Sequence, residues 1–370
     1  MKVLFIPGNS PYPVFSHTPL ATAVRNAGHQ VLMGGIDWVL PNIASVGLPP
    51  IEISPLSVEE VAAFMGAMPS DPVEWARFVG RGYAEIAVSS LERLLALSEH
   101  WRPDLVVGGG MFYTAPILGH HLGIPSVRLE WDRIDTAMYD PGAEEVLAPV
   151  LAELGLDKVP EPDLWIDVCP PSLQPERPRP ARPMRWIPGN PQKRLEPWMY
   201  TKGDLPRVYI TAGTRLFSGD ALKGLAENVA KLGVEVIVGA PESVAAELRD
   251  ELPGVRIGWV PLDILAPTCD VIIHHGGGGT DMTSIHAGVP QIVAKPEYPT
   301  EATARIVEYG AALLVDGGEE TAQDVTDALR RVLGDPAFTE RARELSRELA
   351  ALPTPNELVS DLEKLVADRA

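Results

Sequence analysis

The chain has 370 residues, with 50 Asp and Glu against 31 Lys and Arg, a formal net charge of -19 and a pI near 4.8. So acidic a molecule repels nucleic acid and anionic membrane surfaces, so neither is expected as a partner and a small molecule is. The length exceeds what one core usually fills and predicts two domains.

The first apolar run ends at Pro7, too short for a signal h-region, and nowhere do the roughly 18 apolar residues of a membrane span run together. A cytoplasmic protein is expected. "VLFIP" (3–7), "QVLMG" (30–34), "DLVVG" (104–108) and "SVRLE" (126–130) are short apolar runs rich in β-branched residues, the pattern of strands buried on both faces. Between them "PLATAVRNAGH" (19–29) and "APILGHHLG" (115–123) have helical spacing and stop at Gly28 and Gly123. Residues 158–206 hold too many prolines for regular structure beyond one short strand at "LWIDVC" (164–169).

The rhythm then restarts. "RVYIT" (207–211), a helix to Gly233, "VEVIVG", "VRIGWV", "DVIIHH", "PQIVAK" and "AALLVD" predict a second parallel sheet, with helices ending at Gly288 and Gly310. The expected fold is α/β, two doubly wound parallel-sheet domains with a ligand in the cleft between their strand ends. The boundary is expected near residues 188–205, giving domains 1–195 and 196–355. Residues 356–370 are expected to form a terminal helix packing back on the first domain. Cys169 and Cys269 lie far apart with no CxxC or Cys/His spacing, so both read as packing thiols and no metal site is expected.

The segment "HHGGGGTDM" (274–282) follows the apolar run Val271–Ile273 and leads into a helix. A strand that enters a helix through glycines offers unpaired N–H groups and the positive end of a helix dipole, which is a phosphate site. His275 can donate an N–H to a phosphate oxygen, and Thr280 can cap the helix or donate its hydroxyl. The same residues also suit a tight turn with a capping Thr and two packed histidines. GxGxxG fails because Asp281 holds its third glycine position, and GxxxxGK[ST] is absent. A second strand end, "YITAGTRL", brings Thr214 to the same sheet edge.

These residues carry a resemblance. "WVPLDILAPTCDVIIHHGGGGTDMTSIHAGVPQIV" resembles the donor-binding signature of family 1 glycosyltransferases, and "PLATAVRNAGHQV", "CPPSLQ", "TAGTR" and "LPTPNELV" extend the likeness over nearly the whole chain. The subgroup it most resembles is the actinomycete enzymes that attach TDP-activated deoxysugars to polyketides, angucycline glycosyltransferases in particular. The resemblance implies the two-domain GT-B architecture and a TDP-sugar donor site. There Trp259 and Val260 flank the base, His275, Gly277, Gly278, Gly279 and Thr280 hold the diphosphate, Thr214 faces the phosphates, and Ser10 belongs to the donor side. No cofactor or metal is implied.

The chain departs from the family's pattern twice. Members usually carry GHxxP just before "PLA", with its His as general base; here that position is Pro13, and the nearest histidine is His17. A phenol, with a pKa near 10, is activated far more easily than an aliphatic alcohol, so an aspartate suffices as base. In "RLEWDRIDTAMYD" the resemblance points to Asp135 first and Asp132 next, each equally suited to capping or a solvated loop. Secondly, the positions that read hydroxyls in donors with a full set hold Thr300 and Glu301, as a 2,6-dideoxyhexose would permit. The acceptor is expected on the first domain, where Phe64, Met65, Met68, Trp75, Phe78, Tyr83, Met111, Phe112 and Tyr113 mix methionines with rings as a flat polycycle requires, part of them as ordinary core.

The expected activity is inverting transfer of a deoxysugar from TDP to an aromatic polyketide, without metal, by one in-line displacement. The rivals are a catalytically silent sugar-nucleotide-binding partner of another transferase, favoured by the absent histidine, and a sugar-nucleotide epimerase, disfavoured by the apolar residues between 61 and 113. O- or C-linkage, aglycone, sugar and oligomeric state are left open.

Overall fold

The structure is a computed structural model that describes residues 1–64, 69–176, 178–211, 219–294, 301–315 and 321–369. Two compact units divide the chain, one of residues 1–168, 178–185 and 352–370, the other of residues 169–177 and 186–351.

The first unit is built on a seven-stranded parallel sheet, β1 (Lys2–Ile6), β2 (Gln30–Ile36), β3 (Pro50–Ser54), β4 (Leu105–Gly109), β5 (Ser126–Leu129), β6 (Leu164–Asp167) and β7 (Arg182–Pro183), in the order 3-2-1-4-5-6-7. Leu4 pairs with Leu32 on one side and Val106 on the other, and all three central runs are apolar because helices cover both faces. The order reverses between β1 and β4, so their carboxyl ends flank a switch point, the place where open α/β sheets bind ligands. Sequence reading missed β3, and also β7, which lies in the proline-rich stretch; a proline is tolerated there because β7 is an edge strand.

The first helix differs from expectation. It runs Pro11–Asn26, starting with a proline at its N-terminus and carrying Pro19 inside, whereas Pro19 had read as a helix start. Burial of Val14, Phe15, Leu20 and Val24 outweighs the one hydrogen bond that Pro19 cannot donate. A 29-residue helix, Pro72–His100, begins at Asp71, whose carboxylate accepts from the amides of Val73 and Glu74. It crosses the Asp140–Glu153 helix backbone to backbone: a Cβ on Gly80 would stand 2.0 Å from the Tyr139 carbonyl oxygen, and one on Gly142 2.0 Å from that of Arg77. The last helix, Pro355–Ala367, starts with a capping box formed by Thr354 and Glu357. It packs on Pro11–Asn26 and is tied by Arg182–Asp361 (2.7 Å) and His29–Glu363 (2.8 Å).

The second unit has a six-stranded parallel sheet, β8 (Arg207–Thr211), β9 (Glu235–Gly239), β10 (Arg256–Gly258), β11 (Val271–His274), β12 (Gln291–Ala294) and β13 (Ala312–Val315), in the order 10-9-8-11-12-13. This is the same doubly wound order, and its switch point lies between β8 and β11, where the glycine segment leaves the sheet. Cys169 and Cys269 are both buried, as packing thiols are. Among the described residues no helix is long and apolar enough to cross a membrane.

Candidate active site

In the second unit the chain leaves β11 through Gly276, whose φ of +91° suits glycine, and enters the Gly278–Ala287 helix with Gly277 as N-cap. Gly278 and Gly279 occupy the first two helical positions, so their amides have no intrahelical acceptor. The Thr280 and Asp281 amides already bond to the Gly277 carbonyl, so Thr280 stands inside the first turn and does not cap it. His275 is half-buried and lies flat against the loop: a Cβ on Gly277 would come within 2.8 Å of its Nε2. Its Nδ1 is buried and has no hydrogen-bond partner among the described residues. Burial first, then neighbouring His274, lowers its pKa to about 4, so the ring is neutral near pH 7.

His274, to which sequence reading gave no role of its own, is fully buried. Its Nδ1 accepts the Gly276 amide (3.1 Å) and its Nε2 meets Gln291 Oε1 (2.6 Å), while Gln291 Nε2 donates to the Asp281 carbonyl (3.2 Å). The signal was the paired "HH" and "GVPQ", 17 residues apart from His274 to Gln291, but only the fold shows that they touch.

Trp259, just beyond β10, is 37% exposed, and Lys193 lies 6.0 Å from its ring while donating to its carbonyl. Val260 is buried among Met199, Leu262 and Leu265, which leaves only its backbone to face a ligand. Glu301 is exposed at the start of the Glu301–Tyr309 helix and pairs with Arg305 at 3.4 Å. Thr214 and Thr300 lie outside the described residues, as do Met65 and Met68.

In the first unit the loop after β5 gathers charge at the sheet's carboxyl edge. Arg128, buried, holds Asp140 through two bonds (2.7 and 2.9 Å) and lies over Trp165 at 4.5 Å. Asp132 is buried, with Oδ1 accepting from the Ile134 amide at 2.8 Å. Asp135, its side chain 61% exposed, caps the Thr136–Tyr139 turn through the Ala137 amide (3.2 Å) and bonds Arg179 at 2.8 Å. Arg179 in turn stacks 3.7 Å from Trp165. Sequence reading did not single out Glu130, which is buried: Thr136 Oγ1 donates to its Oε1 at 2.7 Å and its Oε2 has no partner among the described residues. Burial, only partly offset by Arg128, pushes its pKa up to about 8. Three charged residues at alternate positions in a buried strand end were the available signal.

His17 is corrected. It is 0% exposed, inside the Pro11–Asn26 helix, with Nδ1 donating to the Pro13 carbonyl at 2.8 Å; burial lowers its pKa to about 4. Ser10 is the residue before that helix and makes no side-chain cap bond. Of the acceptor candidates, Met111, Phe112 and Tyr113 are buried core, while Trp75, Phe78 and Tyr83 are half-buried beside Trp131 and Tyr139. Among the described residues no three His, Cys, Asp or Glu side chains gather as a metal site would require.

Residues 22–213 match the family described as "Erythromycin biosynthesis protein CIII-like, N-terminal domain", and residues 223–365 its C-terminal domain. The chain is 33% identical over 351 residues to the L-demethylnoviosyl transferase of Streptomyces niveus, covering 92% of each. It is 30% identical over 428 residues to the aclacinomycin-T 2-deoxy-L-fucose transferase of Streptomyces galilaeus, covering 100% of this chain and 97% of that one. The crystal structure of the Streptomyces sp. SF2575 glycosyltransferase SsfS6, complexed with thymidine diphosphate, superposes with a TM-score of 0.86 at 32% identity, covering 98% of this chain and 99% of that one. With its two doubly wound sheets, the chain belongs to the erythromycin biosynthesis protein CIII-like family and is a glycosyltransferase of GT-B architecture.

Proposed function

We propose that the chain transfers a deoxysugar from a thymidine-diphosphate donor to an aromatic, angucycline-like polyketide in antibiotic biosynthesis, with inversion at the anomeric carbon and without a metal. The observation that carries this reading is the start of the Gly278–Ala287 helix, where two amides without intrahelical acceptors stand beside the half-buried His275 at a sheet switch point. Such a group supplies fixed dipoles to a departing diphosphate and does for it what a cation would do. Relatives named for 2-deoxy-L-fucose and demethylnoviosyl transfer, and a neighbour that binds thymidine diphosphate, support the donor class.

Asp135 is the favoured base, since its carboxylate is exposed and Arg179 fixes its orientation; Asp132, buried three residues earlier, is the second candidate. The acceptor hydroxyl attacks the anomeric carbon as its proton passes to the carboxylate, and the C–O bond to the diphosphate breaks in the same step. Incubation with a TDP-2,6-dideoxyhexose and a panel of phenolic polycycles, without added metal, tests this. Mass spectrometry is expected to find products heavier by one deoxysugar, and resistance of the product to acid hydrolysis separates a C- from an O-glycoside. Asp135→Asn is expected to lower kcat at least about 100-fold, as loss of a general base does.

One observation favours a second reading, a catalytically silent partner of another transferase: Pro13 stands where the family resemblance would place the base, and His17 is buried. Tight thymidine-diphosphate binding with no product from any acceptor would support it.

A further inference from the structure

The glycine segment contains more order than a phosphate cradle alone explains. His274 is fully buried and Gln291 nearly so, and their bonds run as a chain from the Gly276 amide through the imidazole and the Gln291 amide to the Asp281 carbonyl. That chain ties β11, β12 and the first turn of the Gly278–Ala287 helix at one point. Since an amide N–H can only donate, His274 Nδ1 carries the lone pair and Nε2 the hydrogen, which then points at Gln291 Oε1. Both bonds form in this one neutral tautomer alone. It also engages the Gly276 N–H inside the protein, at the residue whose φ of +91° reverses the chain, so that amide does not face a ligand.

We propose that His274 and Gln291 are positioning residues for the donor diphosphate. Gln291 fixes the tautomer, His274 turns the Gly276 amide inward, and that turn aims the Gly278 and Gly279 amides, with His275, at the phosphates. The inference rests on the diphosphate being held at this helix start.

Calorimetric titration of the whole chain with thymidine diphosphate, using three variants, tests it. In His274→Asn the side-chain oxygen takes the place of Nδ1 and still accepts from Gly276, and Asn needs no tautomer to be set. In His274→Gln the amide reaches the place of Nε2 and leaves Gly276 without an acceptor. Gln291→Glu keeps the shape but sets a carboxylate against Nε2, which favours the doubly protonated ring and removes the lone pair. His274→Asn is expected to bind within about threefold of the unmodified chain, whereas His274→Gln and Gln291→Glu weaken binding about tenfold or more, as loss of one charge-assisted bond does. Equal weakening in all three, tracking their loss of thermal stability, would mean an ordinary structural pair and overturn the proposal. So would unchanged affinity in His274→Gln and Gln291→Glu. If the unmodified, folded chain does not bind thymidine diphosphate, the donor-site reading itself fails and this inference with it, an outcome visible before any variant is made.

Discussion

Replacing Glu130 with Gln makes a measurable statement about the charged loop after β5. Burial raises this carboxyl from 4.5 to about 8, so between those values the folded chain holds a proton that the unfolded chain has released. Stability contributed by that proton is therefore lost as pH rises. From about pH 5.5 to about pH 7.5 the slope is close to 1.4 kcal/mol per unit, a loss of roughly 2–3 kcal/mol. Gln is neutral throughout and can still accept from Thr136 Oγ1, so the difference between the two chains cancels every other titrating group. Urea unfolding at several pH values, followed by tryptophan fluorescence, is expected to show the variant gaining about 2–3 kcal/mol relative to the unmodified chain over this window. Parallel stability profiles would refute the reasoning, because they would mean that Glu130 is charged in the folded chain and that Arg128 and Arg179 compensate its burial.

Gly80→Ala is expected to destabilise by about 1–3 kcal/mol, because its Cβ would press on the Tyr139 carbonyl, whereas Gly224→Ala, with no described residue within 4 Å of the added Cβ, should stabilise its helix by up to about 1 kcal/mol; thermal melts compare the two. His275 has a pKa of about 4 in the free chain, and a bound diphosphate raises it. Thymidine diphosphate should then bind more tightly as pH falls toward that value and take up a proton, seen as buffer-dependent heats at about pH 5.5; buffer-independent heats would remove His275 from the site. Thr354→Ala breaks the capping box and should cost about 0.5–2 kcal/mol, with Thr354→Ser restoring most of it, as read by urea midpoints.

Continuous apolar runs such as Val3–Ile6 and Val271–Ile273 made the two parallel sheets legible, since strands covered on both faces leave no polar residue to blur the pattern. Proline was the main source of error. Pro19 read as a helix start and Pro183 as a break, yet one sits inside a helix and the other on an edge strand, because tertiary burial and edge position decide what a missing amide costs. The glycine segment announced itself by composition. His274 and Gln291 did not, since their meeting depends on the register of β11 with β12. Asp135 was visible as an acidic residue after a strand, but its partner Arg179 lies 44 residues away in a stretch that reads as linker.

The terminal Pro355–Ala367 helix bears on how the chain is made. Residues 352–370 complete the first unit, yet a ribosome makes them only after all of the second unit. Until then the Pro11–Asn26 helix lacks its covering partner, and Arg182 and His29 lack Asp361 and Glu363. A nascent chain can close its second unit while the first is still open, so vectorial synthesis delays the earlier half. Anyone exchanging halves between relatives must therefore carry residues 352–370 along with the first unit, so that its sheet keeps the tail that seals it.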